Sequence, residues 1–145
     1  MSGLLLLIAA AAVSAADSDD AVKKERKALA GGWAVDVAER DGERILDAEA
    51  HKIRLYFGDE RVTLKQGEKG KELLYGLGLE GNPRTIELKA TDGPYKNQPL
   101  HGIYELNGNI LKICFPFDPQ AARPAEYSAP AGSGRMLLVL KRDKP

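Results

Sequence analysis

The sequence predicts an all-β domain, an eight-stranded antiparallel up-and-down barrel, with a short helix before it and a signal peptide before that. Three observations carry this. From Trp33 onward, apolar residues recur at every second position in eight short runs, the period of a strand with one buried face. The connections are rich in turn residues and too short or too aperiodic for crossover helices, so neighbouring strands pair antiparallel. Eight one-sided strands in succession can cover their apolar face by closing on themselves, which also removes both sheet edges. A two-sheet sandwich is the alternative.

The chain opens with MSGLLLLIAAAAVSAADSDD, an apolar run from Leu4 to Val13 followed by small residues and then acids. That is the layout of a secretory signal with an A-x-A-like cleavage site, and the run falls short of the about 20 residues of a spanning helix. Its leading segment lacks Lys and Arg, so an uncleaved anchor is the alternative. The predicted division is 1–16 signal peptide, 17–32 helix and linker, 33–145 a single barrel domain. The predicted location is exported, periplasmic or extracellular, with the mature chain beginning at Ala16 or Asp17 and no transmembrane span once the signal is removed.

The helix is predicted over SDDAVKKERKALAGG. Ser18 or Asp19 can cap it, Asp20 suits its positive end, and Gly31-Gly32 stops it. Val22, Ala28 and Leu29 give it only a thin apolar stripe. The first strand, WAVDVAE, sets Trp33, Val35 and Val37 on one face. HKIRLYF alternates Ile53, Leu55 and Phe57 against Lys52, Arg54 and Tyr56, and Gly58-Asp59 turns it into RVTLK, with Val62 and Leu64. LLYGLGL aligns Leu73, Tyr75, Leu77 and Leu79. RTIELKA aligns Ile86 and Leu88 after Gly81-Asn82-Pro83. LHGIYEL sets Leu100, Gly102, Tyr104 and Leu106 on one face. Asn107-Gly108 is a strong hairpin signal leading into NILKICF, and MLLVLKR closes the series. Three longer connections remain, at 41–50, 91–99 and 116–135.

Composition narrows the function classes. Lys plus Arg and Asp plus Glu are both 21, so the formal net charge is zero and the charges are interspersed. Nucleic-acid binders show a basic patch or high pI, so no nucleic-acid partner is expected. Cys114 is the single cysteine. No internal disulfide can form, and its apolar neighbours suit a packed small hydrophobe better than a reactive thiol. His51 and His101 show no metal-ligand spacing, and no metal or cofactor is predicted. Asp92 in Asp-Gly-Pro reads as turn chemistry. Ser133 lacks the wider Gly-x-Ser-x-Gly context of a nucleophile elbow. Glu87 and Glu105 fall on polar strand faces and are expected in solvent. The chain is expected not to be an enzyme.

Gly31-x-Trp33 at the first strand of an eight-stranded meander resembles the lipocalin signature, in which the Trp plugs one end of the barrel and a basic residue late in the chain lies over it. Nearly the whole mature chain is similar to a family of small exported domains found mainly in planctomycete bacteria. The pattern takes in Asp41-Gly42, Phe57 with Val62-Thr63-Leu64-Lys65, Thr91-Asp92-Gly93-Pro94, Gly102-Ile103-Tyr104, Arg123-Pro124, Gly132-Ser133-Gly134 and Leu140-Lys141-Arg142. Ala131 stands where the family has Pro. The resemblance implies a lipocalin-like barrel and an exported location, and supplies no catalytic residues.

Gly31, Trp33 and Arg142 are therefore the structural candidates. In a closed barrel the first and last strands pair antiparallel, so the end of the last lies beside the start of the first. Leu138 and Leu140 must face inward, and Arg142 shares their parity, so it is predicted over Trp33 while Lys141 points outward. Val35, Leu55, Phe57, Tyr75 and Tyr104 are the candidate lining, with Tyr75 and Tyr104 needing partners for their hydroxyls. Two functions follow. One is a binder of a small apolar ligand or lipid. The other is a structural or interaction module with an envelope-protein partner and a filled core. The bulk of the inward residues favours a filled interior.

Overall fold

Residues 19–143 are described by the computed structural model. The predicted signal peptide and Ser18 lie outside the described residues. Helix α1, Asp19–Leu29, carries Asp19 and Asp20 in its first turn and Arg26 and Lys27 in its last, a charge order that complements the helix dipole. It ends just before Gly31, whose φ of 107° starts strand β1, Gly31–Arg40.

The remaining elements are β2, Glu43–Arg44; the short helix α2, Asp47–Ala50; β3, Ile53–Phe57; and β4, Arg61–Gln66. They continue with β5, Lys69–Gly78; β6, Arg84–Ala90; β7, Pro99–Asn107; β8, Ile110–Pro116; and β9, Arg135–Arg142. The strands from β3 onward pair antiparallel in sequence order, and β1 pairs with both β3 and β9. The eight long strands therefore close into a barrel. The closing register sets Trp33 opposite Arg142 and Val35 opposite Leu140.

Two details depart from strict alternation. The β1–β9 register shifts between Val35 and Val37, a bulge that turns Val37 away and puts Ala38 in the core instead. Past Ala34, β1 no longer has β3 as a neighbour. The connection predicted as plain loop fills that gap. Ile45 N–H donates to the Ala38 carbonyl at 2.8 Å, and α2 buries Ala50 against the barrel.

The long connection after β8 packs on the outer wall. Ile103 and Cys114 face outward from β7 and β8, yet both are buried, together with Ala129 of this connection. The Cys114 thiol donates to the Ser128 carbonyl at 3.4 Å, and burial pushes its pKa up. Arg123 ties the segment down by donating to the Gly102 carbonyl at 2.7 Å and to Glu87. Asp41 accepts from Gly134 N–H at 2.9 Å. Gly42 N–H donates to the Ala129 carbonyl, and with φ at 87° a Cβ there would stand 2.7 Å from Ala131 backbone. Any side chain at position 42 is thus excluded by conformation and by space.

Candidate functional site

The two ends of the barrel differ. At one end lie the start of β1, the end of β3 and the end of β9, covered by α1. Trp33 is fully buried there, and its indole N–H donates to the Leu29 carbonyl at 2.9 Å. The Arg142 guanidinium lies 4.2 Å from the centre of the Trp33 ring and donates to the Ala28 carbonyl at 2.8 Å. The predicted pairing of Trp33 with Arg142 is thus formed, and Lys141 points outward, 3.6 Å from Asp36.

The Tyr104 hydroxyl donates to Glu25 of α1 at 2.6 Å, and Arg84 donates to the same carboxylate oxygen at 2.8 Å. Burial, then the hydrogen bond to Glu25 and its negative charge, drive the Tyr104 pKa well above that of an ordinary tyrosine. The bond to Glu25 holds Arg84 above its own usual value. The Tyr75 hydroxyl donates to the Gly58 carbonyl at 2.6 Å, and its ring meets Phe57 edge-on at 5.2 Å and the Arg26 guanidinium at 4.5 Å. Burial raises the Tyr75 pKa against the opposing pull of Arg26. Both buried hydroxyls have the partners the sequence demanded. The end is closed by a polar latch, because α1 reaches it through Glu25 and Arg26 as well as through Leu29.

The opposite end is open. A cavity of about 350 Å³ enters between the strands there and runs in as far as Phe57, the last residue of β3, so the interior is not filled as the bulk of the inward residues suggested. Its wall is aliphatic and aromatic. Ile53, Leu55 and Phe57 come from β3, Val62 and Leu64 from β4, and Leu73 from β5. Leu88, Leu100, Ile113, Phe115, Met136 and Leu138 complete it from β6 to β9. Tyr95 and Gln98 of the β6–β7 loop, Phe117 after β8, Gln66 and Lys71 also border it. Phe117 is held by an edge contact to Phe115 at 6.1 Å and by Arg40, 4.6 Å from its ring.

Of the candidate lining residues, Leu55 and Phe57 border this cavity. Val35, Tyr75 and Tyr104 sit in the packed core toward the closed end and do not border it. The strand periodicity marks them as inward-facing but holds no information on depth along the barrel. Tyr95, Gln98 and Phe117 lie in loops, outside any periodic signal. Phe115 and Met136 share the parity of Ile113 and Leu138, so the period-2 rule could have found them.

Outside the barrel, Glu87 lies in a cluster. It accepts from Arg123 and contacts His101 Nδ1, so it is a partnered anchor of the outer segment and not the solvated side chain expected. His51 Nε2 lies 3.2 Å from the Asp36 carbonyl oxygen, on the surface. Ser133 is a turn residue whose Oγ accepts from Arg135 N–H at 3.3 Å. Among the described residues, no three His, Cys, Asp or Glu side chains are grouped so as to hold a metal ion, and no helix is long and apolar enough to cross a membrane. Comparison with family models, with curated proteins and with solved structures finds no match for this chain.

Proposed function

We propose that this chain is an exported, lipocalin-like protein that binds a small apolar ligand inside its barrel and carries out no catalysis. The observation behind the reading is the apolar cavity of about 350 Å³ at the open end. That volume lies in the range of small-molecule sites, which are concave, mostly apolar and edged by a few polar groups. An interior that served stability alone would be packed, because voids forfeit dispersion contacts and destabilise. Export is supported by the apolar run from Leu4 to Val13 and the small residues after it. The likeness to the exported family supports the lipocalin-like barrel and the export, and is silent on the ligand.

Native mass spectrometry of the protein purified from the cells that make it is the direct test, followed by titration with neutral fatty alcohols of six to twelve carbons. A co-purifying mass or saturable binding is expected. A bare mass together with no alcohol binding would remove the reading. N-terminal sequencing of the exported chain should find Ala16 or Asp17 first, and retention of Leu4 to Val13 would replace export with a membrane anchor.

A further inference from the structure

We infer that the ligand is a single-chain amphiphile with an anionic head, a medium-chain carboxylate in its simplest form, with its tail in the cavity and its head at Lys71. This rests on the cavity being a ligand site. Among the described residues, Lys71 is the only charged side chain that borders the cavity. Its place in the strand makes it inward-facing, since it stands opposite Leu64 and in step with Leu73 and Tyr75. Among the described residues it has no ion-pair partner. The cations on the outer faces of β3 and β4 are engaged: Arg54 with Asp143, Arg61 with Glu72, and Lys65 with the Tyr56 ring.

The placement suits a head group. Lys71 is exposed and close to the turn between β4 and β5, so its ammonium can stay hydrated, and a lysine stem can cover apolar surface while its charged head remains in water. Gln66, Gln98 and Tyr95 border the same space and can donate further hydrogen bonds to an anion. No Asp or Glu among the described residues borders it. A cationic head would meet Lys71 alone, and a neutral head would leave its charge unused. The volume sets the tail. At about 30 Å³ for each water-sized group, the cavity admits roughly a dozen non-hydrogen atoms, so tails of about eight to twelve carbons fit.

Calorimetric titration at pH 7 with decanoate, decanol and decyltrimethylammonium tests this. Decanoate should bind about fivefold tighter than decanol, the upper range for an exposed charge pair. The trimethylammonium compound should bind weakest, and the preference for decanoate should shrink at 1 M salt. Lys71→Gln should collapse the ratio of decanoate to decanol to about one, and Lys71→Glu should reverse the order of anion and cation. From octanoate to dodecanoate, affinity should rise about fourfold per methylene until the cavity is full. Decanol binding by each variant shows that its barrel is formed, and the salt dependence of the unaltered protein decides the matter if a variant does not fold. Decanoate binding no tighter than decanol, or a preference that survives Lys71→Gln, overturns the anionic-head inference and leaves the apolar site standing. Failure of decanol and decanoate alike removes the site itself.

Discussion

The closed and open ends of this barrel are built from the same strands with the same inward alternation, yet one is packed and the other hollow. At the closed end, Trp33, Tyr104, Leu111 and Leu140 are buried among one another, and α1 lies across them. At the open end Leu64, Leu73, Leu100 and Met136 are only half-buried and surround space. What separates them is the covering element. A helix tied down by Glu25, Arg26 and the Arg142 guanidinium seals one end. At the other, the β6–β7 loop bonds to itself, Lys96 N–H to the Gly93 carbonyl at 3.1 Å, and to Ala90 through Asn97 N–H at 3.0 Å. It leaves Tyr95 exposed at the lip. Polar anchoring of a cover decides which end of a uniform barrel becomes floor and which becomes site.

The sharpest way to break the contrast is Trp33→Ala. It removes the largest fully buried side chain and should cost about 3–5 kcal/mol, enough to unfold much of the population. Urea denaturation would read it, and a loss under 1 kcal/mol would mean that the floor is not the stabilising end.

A paired substitution compares the ends directly. Val35→Phe overfills the floor and should cost about 1–3 kcal/mol. Leu64→Phe extends into the cavity and should change stability by less than about 1 kcal/mol while abolishing apolar-ligand binding. Equal costs would show that the cavity is not free volume.

The latch is tested by Arg142→Ala, expected to cost about 1–2 kcal/mol from the lost stacking on Trp33 and the freed helix carbonyls. Lys141→Ala, on the opposite face, should stay within about 0.5 kcal/mol. A larger effect at Lys141 than at Arg142 would refute the capping role.

The closed end should also be alkali-sensitive. Tyr104 and Tyr75 have pKa values raised above the ordinary 10.0 in the folded chain. The folded state holds those protons more tightly than the unfolded one. Their contribution is therefore complete below about pH 10 and is lost as pH rises past it. Tyr104→Phe should flatten the stability loss between pH 10 and 12, and an unchanged slope would place the sensitive group elsewhere. The smallest effect is expected at Tyr127, whose hydroxyl is buried with no hydrogen-bond partner among the described residues and whose pKa burial pushes up to about 12. Tyr127→Phe removes an unsatisfied polar group and should be neutral or stabilising by up to about 1 kcal/mol in thermal melts.

Much of the architecture was legible. The eight runs from Trp33 to Arg142 match the eight long strands, and the opposition of Trp33 to Arg142 followed from parity once closure was assumed. The bulge at Val37 was not legible. WAVDVAE alternates without fault, and the shift arises only where β1 meets β9. The buried outer wall had a faint signal: Ile103 beside Tyr104, and Cys114 beside Ile113, place apolar groups on both faces of one strand. Glu87 looked solvated because its partners, Arg123 and His101, are 36 and 14 residues away.

The sequence by itself determined the strands, their turns, their inward faces and the residues at the closing seam. These depend on local periodicity and turn chemistry, which a chain carries within a few residues. Only the tertiary structure decided that the interior holds a cavity, that Leu55 and Phe57 border it while Val35, Tyr75 and Tyr104 do not, and that Lys71 stands at its edge. The interior volume of a barrel depends on strand tilt and stagger, and its closure on which loop or helix reaches each end. Both are set by pairings between distant residues, and no short window of sequence contains them.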